Sequence, residues 1–375
     1  MGSAKADRAQ AKIEKLKKDK QFLENQLTIA ADIQSYLLPK RIPRIEGYEM
    51  AAFYQPCDYV GGDYYDFIEI DEQHLGFLVA DVAGKGFPGA LVMTQVRTLM
   101  RSEALHSLSP REVLIRMNRY LYQEVPRGMF ITMFYAVLDI PHSVVTCASA
   151  GHNPLLYWYH AQQKPDMIKP SGLALAVDSG RRFEPNTNEV EIRMLPGDRF
   201  TLYTDGVTEA MDKKSELYGE GRLTAVFKET IQSDCHKFLA VLVESLNDYR
   251  GKAPQHDDIT VIALRRTTEN PSKPTGFSYI EGERYVRCSG CGNVNAKVLG
   301  RCPTCSRSTE GTAIAHESKP APGVTQCTAC KRIFRNEGWR DGCPYCSKRL
   351  CMMCGVRTAS LGMYCEACAP KNLQS

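Results

Sequence analysis

The sequence predicts an α/β (α+β) protein: a two-sheet β-sandwich flanked by helices, preceded by a long N-terminal helix and followed by small zinc ribbons. Three observations predict it. Short apolar runs of strand length recur from residue 48 to residue 265, and the helical stretches between them come in pairs, the pattern of two packed sheets with helices outside. Residues 5–38 contain neither Gly nor Pro and carry apolar side chains at spacings of three and four. Twelve of the 15 cysteines lie beyond residue 280, arranged as six CxxC pairs.

The leading helix places Ile13, Leu16, Leu23, Leu27, Ala30 and Leu37 on one stripe, interrupted by Lys20 and Gln34, and ends at Pro39. At 1.5 Å per residue it would reach about 50 Å, more than one small domain can cover. Residues 1–38 are therefore a candidate dimerising or regulatory coiled coil, pairing with a second copy; the plainer reading lays the helix on the catalytic body. From Tyr48 the pattern shortens to strands at 48–55, 63–70 and 74–81. Phe87-Pro88 opens a helix to about His106, and Ser109-Pro-Arg-Glu112 is a capping box with Pro at the first helical position, starting a helix to about Val125. Strands follow at 130–139, 144–150, 155–160, 190–194 and 199–204, then helices at 221–231 and 235–250, and a last strand at 258–265. Residues 267–276, Thr-Thr-Glu-Asn-Pro-Ser-Lys-Pro-Thr-Gly, are a linker by composition. The expected division is 1–38, a catalytic body at 39–266, a linker at 267–284, one ribbon at 285–306, a second linker at 307–325 and two ribbons at 326–370.

At 375 residues with 43% hydrophobic content, the chain can bury at least one sizeable core. No stretch approaches the roughly 18 apolar residues that span a bilayer, and the first thirty residues are charged rather than signal-like. Met1-Gly2 is followed by Ala6 where a myristoylation motif takes Ser or Thr. A cytoplasmic protein with no membrane association is expected.

Four acidic stretches share one build. Phe77-Leu-Val-Ala-Asp81 is an apolar run that stops at a carboxylate followed by Gly84 and Gly86, and Gly61-Gly-Asp63, Leu202-Tyr-Thr-Asp205-Gly206 and Asp257-Asp258-Ile-Thr-Val-Ile262 resemble it. Aspartates delivered by several strand ends suit hard divalent cations, because Mg2+ and Mn2+ take oxygen ligands. Two such cations about 3.5–4 Å apart can share a hydroxide and neutralise the charge that develops on a phosphoryl group. Singly, each aspartate would be read as a turn cap.

At these residues the chain resembles the SpoIIE/RsbU-like branch of the metal-dependent serine/threonine phosphatases, the PPM family. The matching stretches are Ile33-Gln-Ser-Tyr-Leu-Leu-Pro39, Gly61-Gly-Asp-Tyr-Tyr-Asp66, Ala80-Asp-Val-Ala-Gly-Lys-Gly86, Ser149-Ala-Gly-His-Asn-Pro154, Tyr203-Thr-Asp-Gly-Val-Thr-Glu-Ala210 and Asp257-Asp-Ile-Thr-Val261, in order and covering about 33–265. The resemblance implies a PPM-type sandwich with two Mn2+ or Mg2+ ions at one edge. It implies that Asp81 bridges them, that the Val82 carbonyl binds one, and that Asp205 and Asp257 hold the other, with Asp258 as the alternative to Asp257. Asp63 would bind the second metal or orient its waters. It further implies a phosphoserine- or phosphothreonine-protein substrate, such as a STAS-domain anti-anti-sigma antagonist, and control through the N-terminal helix. Where eukaryotic relatives place a histidine two residues after the bridging aspartate, this chain has Ala83. His152 or metal-bound water would then protonate the leaving group, and Lys85 would contact phosphate; the plainer reading of His152 is a turn residue. Cys57 has no phosphate loop around it and reads as a structural thiol.

The tail repeats one spacing three times: Cys288-x2-Cys291-x10-Cys302-x2-Cys305, Cys327-x2-Cys330-x12-Cys343-x2-Cys346 and Cys351-x2-Cys354-x10-Cys365-x2-Cys368. Four thiolates per unit suit one tetrahedral Zn2+, so about three structural zinc ions are expected, with pairing within units two and three left open. Residues 281–375 hold 14 Lys/Arg and 7 Asp/Glu. Twelve thiolates on three Zn2+ reduce this excess to about +1, which removes most of the electrostatic case for nucleic acid. Arg332, Phe334, Arg335, Trp339 and Arg340 form a candidate surface for recruiting a protein partner, or Phe334 and Trp339 cover the second zinc unit. A reading of another class makes the chain an adaptor, in which the ribbons bind protein or nucleic acid and the phosphatase body is a docking module.

Overall fold

The computed structural model describes residues 2–267 and six short strands between residues 285 and 365. The N-terminal helix α1 (Gly2–Leu37) is 36 residues long. It is followed by β1 (Tyr48–Gln55), β2 (Tyr64–Glu69) and β3 (His74–Val82), the helices α2 (Phe87–Glu103) and α3 (Pro110–Glu124), and β4 (Ile131–Asp139), β5 (Val144–Ala150), β6 (Leu155–Tyr159) and β7 (Lys164–Ile168). The short helix α4 (Phe183–Asn186), β8 (Glu189–Arg193), β9 (Arg199–Tyr203), the single turn α5 (Asp205–Thr208), α6 (Gly219–Glu229), α7 (Cys235–Arg250) and β10 (Ile259–Arg266) complete the body.

Two five-stranded sheets form, ordered β1-β10-β9-β6-β7 and β2-β3-β4-β5-β8, with antiparallel neighbours throughout. The period-two alternation of side chains explains why the inner strands read as unbroken apolar runs. On β10, Ile262 and Leu264 face the other sheet, whereas Val261 and Ala263 face α6 and α7. Phe200 of β9 stands edge-on to Phe77 of β3, centroids 5.1 Å apart, and joins the sheets at their centre. Met93, Val96 and Met100 of α2 and Val113, Leu114 and Met117 of α3 cover the outer face of the second sheet.

Local chemistry sets the helix ends. Ser109 accepts from the Glu112 N–H at 3.1 Å with Pro110 at the first helical position, while the Glu112 carboxylate accepts from Ser107 rather than closing the box on Ser109. Asp234 caps α7 by accepting from the Lys237 N–H at 2.6 Å. Arg199, fully buried, donates to the carbonyls of Thr230, Ile231 and Ser233 and satisfies the chain between α6 and α7. One strand departs from expectation: β7 has no counterpart in the sequence reading. Lys164, Pro165 and Asp166 disguise it, and it survives because it is an edge strand, where Pro costs no ladder bond.

Along α1, Ile13, Leu16 and Leu23 are exposed and Leu27, Ala30 and Leu37 are half-buried. No helix among the described residues is long and apolar enough to cross a membrane.

The chain divides into two compact units, Met1–Ala313 and Ile314–Ser375. Beyond residue 267 the first contains the antiparallel pair β11 (Tyr285–Arg287) and β12 (Val294–Ala296). The second contains β13 (Val324–Gln326) paired with β14 (Ile333–Arg335), and β15 (Gly355–Thr358) paired with β16 (Gly362–Cys365). The expected zinc ligands Cys288, Cys291, Cys302, Cys305, Cys327, Cys330, Cys343, Cys346, Cys351, Cys354 and Cys368 lie outside the described residues; Cys365 ends β16 and is described in its backbone alone.

Candidate active site

Asp63, Asp81, Asp205 and Asp257 arrive at one end of the sandwich from three strand ends and a turn. Asp81 stands near the end of β3, opposite Thr132 of β4. Asp63 immediately precedes β2, Asp205 begins the turn after β9, and Asp257 lies two residues ahead of β10. Both β9 and β10 are in the first sheet, and both β2 and β3 are in the second, so the acids face each other across the sandwich edge.

Asp63 is buried, and one of its oxygens, Oδ2, accepts from the hydroxyls of Thr204 at 2.8 Å and Thr260 at 2.5 Å. Burial, then the charges of Asp258 and Asp81, push its carboxyl well above the usual range, and the two threonines oppose this. Asp81 accepts no hydrogen bond among the described residues; burial and then Asp205, Asp257 and Asp258 raise its pKa to about 7. Asp205 is raised to about 6 by burial, Glu209 and Asp257. Lys85 is the neighbouring cation. Its ammonium lies 2.9 Å from Asp257 Oδ2 and donates to the His256 carbonyl at 2.6 Å.

This donor set fits hard divalent cations. It is all oxygen, burial and neighbouring carboxylates raise the pKa of Asp63, Asp81 and Asp205, and the Val82 carbonyl lies beside Gly62, where an added Cβ would approach it to 2.9 Å. Among the described residues no three His, Cys, Asp or Glu side chains yet converge on one point.

Asp258 has a different task from the ligand role considered for it. Its Oδ1 accepts from the Cys57 N–H at 2.7 Å, and Oδ2 accepts from the N–H groups of Gly62 at 2.7 Å and Asp63 at 3.4 Å. The carboxylate is spent on the backbone of the turn that carries Asp63, so it organises the site without facing its mouth. Gly61 and Gly206 permit this closeness. A Cβ on Gly61 would lie 2.3 Å from Asp258 Oδ2, and one on Gly206 would lie 1.9 Å from the Asp258 carbonyl oxygen.

His152, considered as a phosphate contact or proton donor, is placed behind the site. It is buried, with Nδ1 2.8 Å from Thr132 Oγ1 and Nε2 3.1 Å from the Tyr203 carbonyl. A neutral ring protonated at Nε2 satisfies both partners, and burial pushes its pKa down to about 4. The sign follows from its ordinary value of 6.5: stability from the neutral ring is complete above pH 6.5 and is lost as pH falls through about 4. Against His152→Gln, the wild type should be more stable at pH 7, with about 3 kcal/mol of that advantage gone by pH 4. Urea unfolding of both proteins at pH 7, 5.5 and 4 measures this; a constant difference contradicts it.

Thr204, Thr260, Thr132 and Gln34 are the site residues that reading the sequence missed. Thr204 and Thr260 each lie within two residues of an aspartate, and Gln34 broke an apolar stripe; those were the available signals. Beside Asp257 lies a small pocket lined by Ala210, Met211, Leu246, Arg250 and His256.

Comparison with known proteins bears on the family and the fold. Residues 71–267 match the family model described as Stage II sporulation protein E (SpoIIE). The chain is 32% identical over 249 residues to phosphoserine phosphatase RsbU of Bacillus subtilis, covering 66% of this chain and 71% of that one. It is 26% identical to phosphoserine phosphatase RsbP of the same organism over 199 residues, spanning 52% of this chain and 47% of RsbP. In fold it is similar to the SiaA PP2C domain of Pseudomonas aeruginosa, with a TM-score of 0.57, 21% identity and coverage of 66% of this chain and 98% of that one. It is also similar to the PP2C phosphatase domain, with a regulatory fragment, of the cell fate determinant SpoIIE from Bacillus subtilis. There the TM-score is 0.51, with 15% identity and 64% of each chain covered.

Proposed function

The chain belongs to the SpoIIE family of PPM-type serine/threonine phosphatases, and from that premise we propose that it is a Mn2+- or Mg2+-dependent enzyme removing phosphate from phosphoserine or phosphothreonine of a signalling protein. The observation that carries this is the gathering of Asp63, Asp81, Asp205 and Asp257 at one end of the sandwich, with Asp81 and Asp205 raised to about 7 and 6. Acids raised first by burial and then by one another's charge suit a site for cations.

In this reading Asp81, the Val82 carbonyl, Asp205 and Asp257 would hold the cations, and Asp63 would bind one of them or orient its waters. When bound, such a pair supplies a nucleophilic water at neutral pH and neutralises charge on the phosphoryl oxygens. The chain's own residues do the rest. Thr204 and Thr260 hold the Asp63 carboxylate in one orientation, and Asp258 fixes the turn beneath it. Lys85, exposed at the rim, exchanges Asp257 for the incoming phosphate. Ala83 carries no proton to give and His152 is buried against Thr132 and Tyr203, so in this reading water would supply the proton of the leaving oxygen. The substrate is a small regulatory phosphoprotein of the STAS-domain antagonist type. Phosphate release from phosphoserine, phosphothreonine and phosphotyrosine peptides by the full chain in Mn2+ tests the class: turnover of the first two supports it, and turnover of none overturns it.

For the remainder, the exposed Ile13, Leu16 and Leu23 of α1 support a homodimer through that helix. The six CxxC pairs and the three strand pairs beside them support three zinc ribbons that recruit a protein partner in the cytoplasm. Metal analysis of the full chain should return about three zinc ions per chain. A chain that is folded and zinc-free would contradict the ribbons and leave the phosphatase reading intact.

A further inference from the structure

The small pocket beside Asp257 contains a positive charge that the chemistry described above does not use. Arg250, in the last turn of α7, is half-buried in its wall. Its guanidinium is held by two neutral oxygens: Nη2 donates to Asn247 Oδ1 at 2.8 Å, and Nη1 donates to Gln255 Oε1 at 3.3 Å. Arg101, Arg116 and Arg119 meet the carboxylates of Asp66, Glu103 and Glu184, whereas Arg250 has no carboxylate within ion-pair distance among the described residues. Burial holds its pKa below the ordinary arginine value, with no neighbouring charge to offset it. A guanidinium drawn partly out of water without a counter-charge is costly, and its planar fork matches a carboxylate.

The pocket shares a wall with the aspartate cluster. Gly206, next to Asp205, and Asp257 both line it, over buried Leu246 and Ile259. Asp257, the carboxylate that lines the pocket, is already paired with Lys85 at 2.9 Å, so the charge left unspent there is that of Arg250. Gln255 joins the two regions. Its Nε2 donates to the carbonyls of Asp257 at 2.7 Å and Gln55 at 3.0 Å, while its Oε1 accepts from Gln55 Nε2 at 2.7 Å as well as from Arg250. The amide that holds Arg250 is therefore itself fixed from several sides.

We propose that Arg250 marks a specificity subsite for an acidic side chain of the substrate protein, a glutamate or aspartate within a few residues of the phosphorylated one. With the phosphate at the aspartate cluster, the flanking polypeptide passes the shared wall and brings that carboxylate to the guanidinium. The inference rests on the phosphatase reading and deepens it by naming a feature of the substrate. Arg250 touches substrate away from the phosphate, so it selects among phosphoproteins and takes no part in breaking the ester. An arginine that served only the C-terminal end of α7 would change stability and leave substrate preference alone.

The test uses the full chain in Mn2+ with phosphoserine peptides in which glutamate, glutamine or leucine is placed in turn at each position up to about four residues on either side of the phosphoserine. Each protein is judged by its own ratio of kcat/KM between peptides, so a general change in activity cancels. At one position or more the wild type should favour glutamate over glutamine at least about tenfold. The difference should lie in KM, with kcat for the two peptides within about threefold, and it should shrink in about 0.5 M salt. Arg250→Met, which keeps the apolar stem, should bring the ratio close to one, and Arg250→Lys should keep part of it. No preference for glutamate at any position, leucine preferred where glutamate was expected, or a preference that survives Arg250→Met overturns the proposal. If no peptide is hydrolysed the phosphatase reading fails, and fluorescence anisotropy of the same peptides, labelled, still judges Arg250: tighter binding of the glutamate peptide that is lost in Arg250→Met supports the subsite, and equal binding overturns it.

Discussion

Asp81→Asn is expected to cut phosphate release by about 10³-fold or more, the rate equivalent of losing several kcal/mol of charge stabilisation at the transition state. The same variant should not be less stable. The Asp81 carboxylate accepts no hydrogen bond among the described residues, and its pKa is held near 7 by burial and by Asp205, Asp257 and Asp258. An acid whose folded pKa lies above its unfolded value costs stability as pH rises from about 4, and the full cost is reached above about pH 7. Asparagine keeps the shape and removes the charge. In chelator at pH 8 the variant should therefore melt at or above the wild-type temperature, and at pH 5 the two should converge. Added Mn2+ should raise the wild-type melting temperature and do less for the variant. Loss of activity together with loss of stability in chelator would instead make Asp81 an ordinary structural residue.

Gly206→Ala should damage both properties. The added methyl would lie 1.9 Å from the Asp258 carbonyl oxygen and 3.4 Å from the Asp257 Cβ, against backbone that belongs to the start of β10. The turn carrying Asp205 must then move away from Asp257. Overpacking of this kind costs about 1–3 kcal/mol, which for a body of this size lowers the melting temperature by roughly 3–10 °C. Activity should fall further than stability requires, because the two aspartates proposed to share one cation are the groups driven apart. Circular dichroism melting and phosphate release at a temperature where both proteins are folded measure the two effects; a variant with wild-type turnover would show that this spacing is not needed.

The strands were legible because most are buried on both faces, so that Phe77 to Ala80 or Val261 to Leu264 appear as continuous apolar runs. β1 occupies 48–55 as the pattern indicates, whereas β7 hides behind a proline and two charges at the sheet edge. The four aspartates were legible for a related reason: each ends, follows or precedes an apolar strand, and Asp63, Asp81 and Asp205 have glycine within three residues, where backbone can approach closely. What supports them was not. Thr204 and Thr260 reach Asp63 across 141 and 197 residues of chain, and no local pattern records such a contact. The Asp257-Asp258 pair looks like two equivalent acids in sequence, yet one meets Lys85 and the other accepts three backbone N–H groups. His152 looked available in its Ala-Gly-His-Asn-Pro turn, and only burial between Thr132 and Tyr203 removes it from the chemistry. Gln34 was an interruption in a helical stripe until Gly61 gave it a partner.

The most direct test titrates Mn2+ into chelated full-length protein while following binding by calorimetry and phosphate release from a phosphoserine peptide in parallel samples. Binding that approaches about two ions per chain at the aspartate cluster, with phosphate release rising as those ions bind and both lost in Asp81→Asn, is the predicted result. Hydrolysis that persists undiminished in chelator, or Mn2+ bound with no phosphate released, would contradict it.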